Sequence, residues 1–337
     1  MTITNTNQKF TSVGSRPIRH DGFDKVTGKA LYGADIELPG LIHGKILRSP
    51  HAHAKILSID TSEAENMADV HAVITNHHFP AQEDKSVSKI PGPAMNLKQQ
   101  TSNILASDKV LYKGHAVAAV AANSAHAAEE ALALIKVEYE QLPHVSTVEE
   151  AISDGAPLLH DQYKNNIASH DVLEMGDVDK GFGQVDLVVE REFRTSTVHQ
   201  GYIEPHSATG WWTANNKITI WGSSQGHFQI RDRTSLVLGM PVSAIKVVPM
   251  EIGGGFGGKT TIYLEPVAAL LSKITGYPVK ITMSRSEVLE ATGPTSGSYM
   301  KVKIGATKDG KITSAQADLK FEAGAYPGSP VGAAANC

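Results

Sequence analysis

Five glycines fall within six positions at Gly253-Gly254-Gly255-Phe256-Gly257-Gly258, and Lys259 and Thr260 follow directly. Glycine has no Cβ, so such a run lets backbone amides approach a ligand without side chains in the way. The residues before the run, IKVVPMEI from Ile245, read as a strand, and those from Thr260 to Thr275 read as a helix. Strand, glycine loop and helix N-terminus together predict an anion cradle, because amides converge there and the helix dipole favours negative charge. A phosphate or pyrophosphate group is the expected guest. Two nucleotide signatures fit the letters. Gly253, Gly258, Lys259 and Thr260 satisfy GxxxxGK[ST], the P-loop pattern. Only 77 residues (337 − 260) follow Thr260, few for the parallel sheet of a P-loop protein, and none of them form an apolar run ending in Asp to hold magnesium. Gly253, Gly255 and Gly258 also satisfy GxGxxG, but the next strand, Val279–Met283, ends in Ser284-Arg285 where a dinucleotide site wants an acid.

The remaining residues of chemical interest are fewer. His51 and His53 sit in a turn after Pro50, where side chains more often face solvent than a metal. His199, Glu204 and His206 are polar groups in a packed segment and are expected to be buried and hydrogen-bonded. The single cysteine, Cys337, permits neither an intrachain disulfide nor an iron–sulfur cluster. That fits a reducing, cytoplasmic setting. Lys and Arg (31) nearly balance Asp and Glu (35), for a net charge of -4, and no basic run is interleaved with aromatics. Nucleic acid is thus excluded as the expected partner. The N-terminus does not read as a signal peptide, and no apolar run is long enough to span a membrane.

The elements that must position these residues follow from periodicity. Residues 1–15 read as a loose polar arm. Leu41–Ser49 and Ala54–Asp60 read as a strand pair joined at Pro50, and Gln82–Gln100 as a long surface loop. His115–Ala122 is a buried strand, Asn123 or Ser124 caps a helix to Ile135, and Lys136–Tyr139 begins another strand, which makes a βαβ-like unit. An acidic stretch over 146–184 reads as a linker. Beyond it, strands are expected at Val185–Phe193, Lys217–Gly222, Ile245–Met250, Val279–Met283, Lys301–Ile304 and Ile312–Glu322, with helices at Gln225–Leu238 and Thr260–Thr275. The fold class is α+β.

Several separate motifs, in order, resemble one family. GGGFGGK with Phe256 exposed at its tip is similar to the molybdopterin-contacting loop of the large subunits of xanthine dehydrogenase, aldehyde oxidase and carbon monoxide dehydrogenase. Trp221-Gly222-Ser223-Ser224-Gln225 and Gln200-Gly201-Tyr202-Ile203-Glu204-Pro205-His206 resemble the family's segments upstream of that loop. Asp24–Gly28, Ser49–Ala52 and Gly114–Leu142 resemble parts of its a/b hammerhead domain. The resemblance implies a hammerhead domain over 16–145 and a first molybdenum-cofactor domain over 185–337, incomplete at its C-terminus. The family's second molybdopterin domain has no counterpart.

Much of the chemistry is implied by the resemblance alone. The cofactor is a molybdenum pterin, as molybdopterin or its cytosine dinucleotide, and the reaction is hydroxylation of an aldehyde or N-heteroaromatic carbon with water as the oxygen source. Gln225 would donate a hydrogen bond to an oxygen ligand of molybdenum, an orienting role that a neutral amide fills without adding charge. Gly254, Gly255 and Gly257 would contact the cofactor through their backbone, and Phe256 would lie against both cofactor and substrate. None of these is a direct metal ligand. Purine hydroxylases carry a glutamate where Thr260 stands, which argues against a purine substrate. The family's glutamate base lies in a region absent here, so no catalytic residue is assigned. The partners implied are a completing molybdenum subunit, an iron–sulfur subunit and a flavin subunit carrying FAD. A P-loop nucleotide-binding protein and an inactive remnant are the rival readings.

Overall fold

The structure is a computed structural model that describes residues 11–83, 86–87, 95–161 and 163–325. Most of the predicted N-terminal arm and the last twelve residues, Cys337 included, lie outside the described residues. The first third contains α1 (Gly22–Thr27), β1 (Ile42–Arg48), β2 (Ala54–Asp60), α2 (Ser62–Glu65) and β3 (Val70–Thr75). It continues with β4 (Ser86–Val87), β5 (Met95–Asn96), α3 (Leu97–Ile104), β6 (Lys109–Val110), β7 (Ala116–Ala122), α4 (Ala125–Leu134) and β8 (Lys136–Gln141). Two short helices follow, α5 (Val148–Ala151) and α6 (Val178–Phe182), and then β9 (Leu187–Thr195), β10 (Ser207–Trp212) and β11 (Ile218–Gly222). The last part holds α7 (His227–Leu238), β12 (Ile245–Pro249), α8 (Glu265–Thr275), β13 (Val279–Thr282), α9 (Arg285–Ala291), β14 (Ser298–Ala306) and β15 (Ile312–Phe321).

A seven-stranded mixed sheet, ordered β12-β11-β10-β13-β1-β7-β3, joins both halves of the chain. The crossing point is a parallel pairing of β1 with β13, with Ile42 opposite Val279 and Gly44 opposite Ile281. α8 buries Val267, Ala268 and Leu271 in a core shared with Ile218, Ile220 and Ile281. On β7 the alternating side chains serve two cores. Ala119 and Ala121 join that one, while Ala118, Val120 and Ala122 pack with Ala127, Ala128 and Ala131 of α4. The period of two along a strand makes this division possible, and alanine lets helix and sheet approach closely.

Several sequence expectations need correction. β1 and β2 are both strands but do not pair with each other. β1 lies in the large sheet, whereas β2 is the centre of a separate sheet, β6-β2-β8. The turn at Pro50 therefore moves the chain between layers instead of closing a hairpin. For the same reason β7, α4 and β8 are consecutive without being a βαβ unit, since β7 and β8 belong to different sheets. Ser124 is the cap of α4, accepting from the Ala127 amide at 3.1 Å, while Asn123 binds Asp69 instead. The described end of the expected 82–100 loop already enters α3, which Asn96 caps through the Gln99 amide.

One central strand is not among those expected from the sequence. β10 (SATGWW) pairs on both sides, with β11 and β13, and Ser207, Ala208 and Gly210 dilute the strand character of Thr209, Trp211 and Trp212. Gly210 shows why: a Cβ there would come 2.7 Å from the Ala269 nitrogen of α8. A glycine inside a strand marks close backbone approach.

The small sheet β15-β14-β9 has two unlike faces. Lys301, Glu190, Arg194 and Lys320 alternate onto one face, where Phe182 and Val185 also pack over Gly305. The opposite face carries Phe193, Val189, Met300, Ile304 and Leu319 and is largely uncovered, with Phe193 51% and Leu319 47% exposed.

His115 is wholly buried behind β7; its Nδ1 accepts from the Leu111 amide (3.1 Å) and its Nε2 donates to the Ser102 carbonyl (2.9 Å). Burial lowers its pKa to about 4. A histidine depressed below its unfolded value near 6.5 leaves the folded state proton-poor, so stability is full above that value and falls with pH down to about 4. The expected loss from this one residue is about 2 kcal/mol between pH 7 and pH 5. Urea unfolding at the two pH values checks it, and His115→Gln should show the smaller acid loss.

Candidate functional site

The site is built where β11, the 200–206 segment and the glycine loop meet. β11 ends at Gly222, and buried Ser223 and Ser224 carry the chain to Gln225 just before α7. The Gln225 amide donates to the Lys259 carbonyl at 2.8 Å, which ties this turn to the end of the loop. Gln225 Oε1 accepts from the Gly257 and Lys259 amides at 3.0 and 3.2 Å. Two backbone donors at one atom identify it as the carbonyl oxygen. Nε2 consequently points the other way, exposed, with two N–H groups and no protein acceptor among the described residues.

Beneath the loop lies a floor of buried side chains. Tyr202 and Lys259 are each 1% exposed, and Lys259 Nζ sits 4.9 Å over the Tyr202 ring. Glu204 Oε2 accepts from Lys259 Nζ at 2.6 Å and from the Gly253 amide at 2.7 Å. Burial lowers the Lys259 pKa, against the opposing pull of Glu204. The Tyr202 hydroxyl and His206 Nε2 share a hydrogen bond of 2.7 Å; His206 is fully buried and its pKa lies well below the ordinary value, so it is neutral. His199 accepts from the Gly201 amide at Nδ1 and donates from Nε2 to Thr292 Oγ1 at 2.8 Å. Both histidines are thus committed to internal bonds, and Glu204 to the loop itself.

The glycines have a second reason beyond ligand approach. A Cβ on Gly253 would meet Glu204 Cβ at 2.8 Å, one on Gly255 would meet Gln225 Oε1 at 2.5 Å, and one on Gly258 would meet Tyr202 Cε1 at 2.8 Å. Protein side chains fill those positions from below. Gly257, by contrast, has φ +91° and open space where a Cβ would stand. Phe256 adopts φ +48° and is 73% exposed, so its ring projects from the loop and does not plug it. A residue with a Cβ costs about 1–2 kcal/mol in that left-handed region, and strain of this kind collects at functional positions. The successive amides of Gly254, Gly255 and Phe256 find no protein acceptor among the described residues. Consecutive amides in a loop of positive φ make an anion-binding concavity.

The helix-capped cradle expected from the sequence is absent in that form. α8 begins at Glu265, not Thr260, and the buried Glu265 carboxylate accepts from the Tyr263 and Leu264 amides at 2.9 and 3.1 Å. An acid already occupies the helix N-terminus. With Lys259 turned inward and Thr260 Oγ1 donating to the Gly257 carbonyl, the P-loop reading fails on geometry. Nor is there, among the described residues, a group of three His, Cys, Asp or Glu side chains able to hold a metal ion, and no helix is long and apolar enough to cross a membrane. Sequence reasoning does not reach Tyr202 and the Glu204–Lys259 pair as the loop's floor. The available signal is a lysine hemmed in by glycines, which needs a counter-ion once buried.

An exposed amide donor thus stands beside loop amides that have no protein acceptor among the described residues, and likeness to known proteins defines the class. Residues 159–336 match the molybdopterin cofactor-binding domain, and residues 27–143 match the a/b hammerhead domain of aldehyde oxidase and xanthine dehydrogenase. The chain belongs to the xanthine dehydrogenase and aldehyde oxidase family of molybdopterin-dependent oxidoreductases. It is 32% identical over 317 residues to the nicotinate dehydrogenase large molybdopterin subunit of Eubacterium barkeri, covering 94% of this chain and 72% of that one. It is 32% identical to the carbon monoxide dehydrogenase large chain of Afipia carboxidovorans, covering 95% of this chain and 40% of that one. The aldehyde oxidoreductase of Desulfovibrio gigas superposes with a TM-score of 0.80 at 28% identity, over 89% of this chain and 33% of that one.

Proposed function

We propose that this chain forms the first cofactor-holding part of a molybdenum hydroxylase that oxidises an aldehyde or N-heteroaromatic carbon, with water supplying the oxygen. The observation that carries the reading is Gln225, whose carbonyl is held by two loop amides so that its N–H₂ group faces outward beside Phe256. The residues fit a molybdenum pterin, either molybdopterin or its cytosine dinucleotide. Gln225 Nε2 would donate to it, the unpaired amides of Gly254, Gly255 and Phe256 would face its polar groups, and Gly257 would allow close approach. When bound, the cofactor supplies the two-electron oxidation chemistry. The protein's part is to orient, to present a neutral donor and to place an apolar ring at the entrance. Phe256 would stack against a planar substrate and shed water from it. None of the polar side chains beneath the loop is free to act as the base: His199, His206 and Glu204 are all engaged internally.

Residues 16–145 then serve as the hammerhead unit, 146–184 as the connection and 185–337 as the cofactor-facing unit. The completing molybdenum subunit, an iron–sulfur subunit and a flavin subunit with FAD would supply the base, the remaining cofactor contacts and the electron path. The uncovered apolar face of β9, β14 and β15 supports association with further polypeptide. The test is purification of the native complex with analysis of metal, pterin and nucleotide. Molybdenum and pterin in a fixed ratio to this chain are expected. Saturable magnesium-dependent ATP binding, or a complex without pterin, would overturn the proposal.

A further inference from the structure

Lys259 completes a phosphate-binding signature in the sequence, yet its ammonium is sealed inside the protein. Its nearest acceptor, Glu204 Oε2 at 2.6 Å, also takes the Gly253 amide at 2.7 Å. One carboxylate oxygen thus holds both ends of the glycine loop. Tyr202 lies under the ammonium and fills the space beside Gly254 and Gly258. We propose that Glu204 and Lys259 are positioning residues, a lock that sets the conformation of the loop and of Gln225 before a cofactor arrives; the cofactor's identity rests on the reading above.

Two observations argue that the pair serves shape more than stability. A buried ion pair can often be replaced by apolar residues of similar volume at no cost, whereas removing one partner is costly. Glu204 Oε1, moreover, is buried without a hydrogen-bond partner among the described residues. A packing role alone would not favour that orphaned acceptor. The bifurcated contact at Oε2 explains it: the carboxylate is turned so that one oxygen reaches both loop ends. The lock then passes to Gln225, because the backbone of Lys259 meets that residue through both its amide and its carbonyl.

The experiment uses the full chain and its native complex, with Glu204→Leu/Lys259→Met as a double variant. Urea unfolding, amide hydrogen exchange and pterin content are read together. The double variant should keep the wild-type unfolding midpoint and the protection of β10 and β11. Exchange at the Gly257 and Lys259 amides should speed by at least about tenfold, since local opening is independent of the global transition. Pterin retained after desalting should fall severalfold. Wild-type protection of those amides in the double variant, or a loss that merely follows a lower global midpoint, would overturn the lock. Should the double variant fail to fold, Glu204→Gln, which keeps the side-chain shape, takes its place: faster exchange at those two amides supports the lock, and wild-type protection overturns it. The exchange measurement needs no cofactor. A wild-type complex lacking pterin would therefore remove the cofactor reading and leave the lock still tested.

Discussion

Gly255→Ala is expected to empty the site. Its Cβ would stand 2.5 Å from Gln225 Oε1, and Gly255 is buried, so neither the side chain nor the loop can yield without breaking the Gly257 and Lys259 bonds. Forcing a methyl into a packed place costs about 1–3 kcal/mol, which, if lost from binding, corresponds to a hold on the cofactor weaker by about 5- to 150-fold. Gly257→Ala is the control for the orientation of Gln225 alone, read by exchange at the Gly257 and Lys259 amides, since Gly257 is itself proposed to face the cofactor. It meets open space, and its penalty comes only from φ +91°, so Gln225 should keep its orientation. Molybdenum and pterin per chain, measured in the intact complex after desalting, decide the matter. Full loading of the Gly255→Ala complex would show that the Gln225–loop contact does not shape the cofactor site.

Replacement of Gln225 separates donor from acceptor. Gln225→Glu keeps a carbonyl-type oxygen for the Gly257 and Lys259 amides but, when ionised, has no proton to offer outward. Gln225→Ala removes both. Loss of a single preorganised donor costs about 10²–10³ in kcat, so both variants should fall by that order. The Glu variant alone should retain its pterin. A fully loaded Gln225→Glu complex turning over at the wild-type rate would remove the donor role.

The sequence displays the site's outer surface better than its interior. The glycine run is legible because glycine density is a local property, whereas Gln225 and the role of Phe256 are suggested only by the family resemblance. The floor is not legible, because Tyr202, Glu204 and Lys259 meet only through the fold: Glu204 and Lys259 are 55 residues apart. The helix start is misplaced by five residues (260 against 265). Pro266 in the first turn of α8 is a local signal against a helix begun at Thr260, and the buried carboxylate of Glu265 takes the amides of Tyr263 and Leu264 at that start. β10 stays hidden because its glycine answers to a helix crossing above it. Strand membership is equally concealed; β1 and β2 each have the right pattern, but nothing local says that they enter different sheets.

The parallel pairing of β1 with β13 has a consequence for how the protein is made. Ile42 waits for Val279, 237 residues later (279 − 42). At synthesis rates of about 5–20 residues per second, that is a delay of roughly 10–50 s. During that interval the β1 edge beside β7 has no second neighbour. Pairings so distant in sequence slow folding, because the loop must close before contacts reward it. The two family domains are consequently a single kinetic unit. The early half is born with an open sheet edge, and its protection until the glycine loop has passed the ribosome becomes a task for the cell.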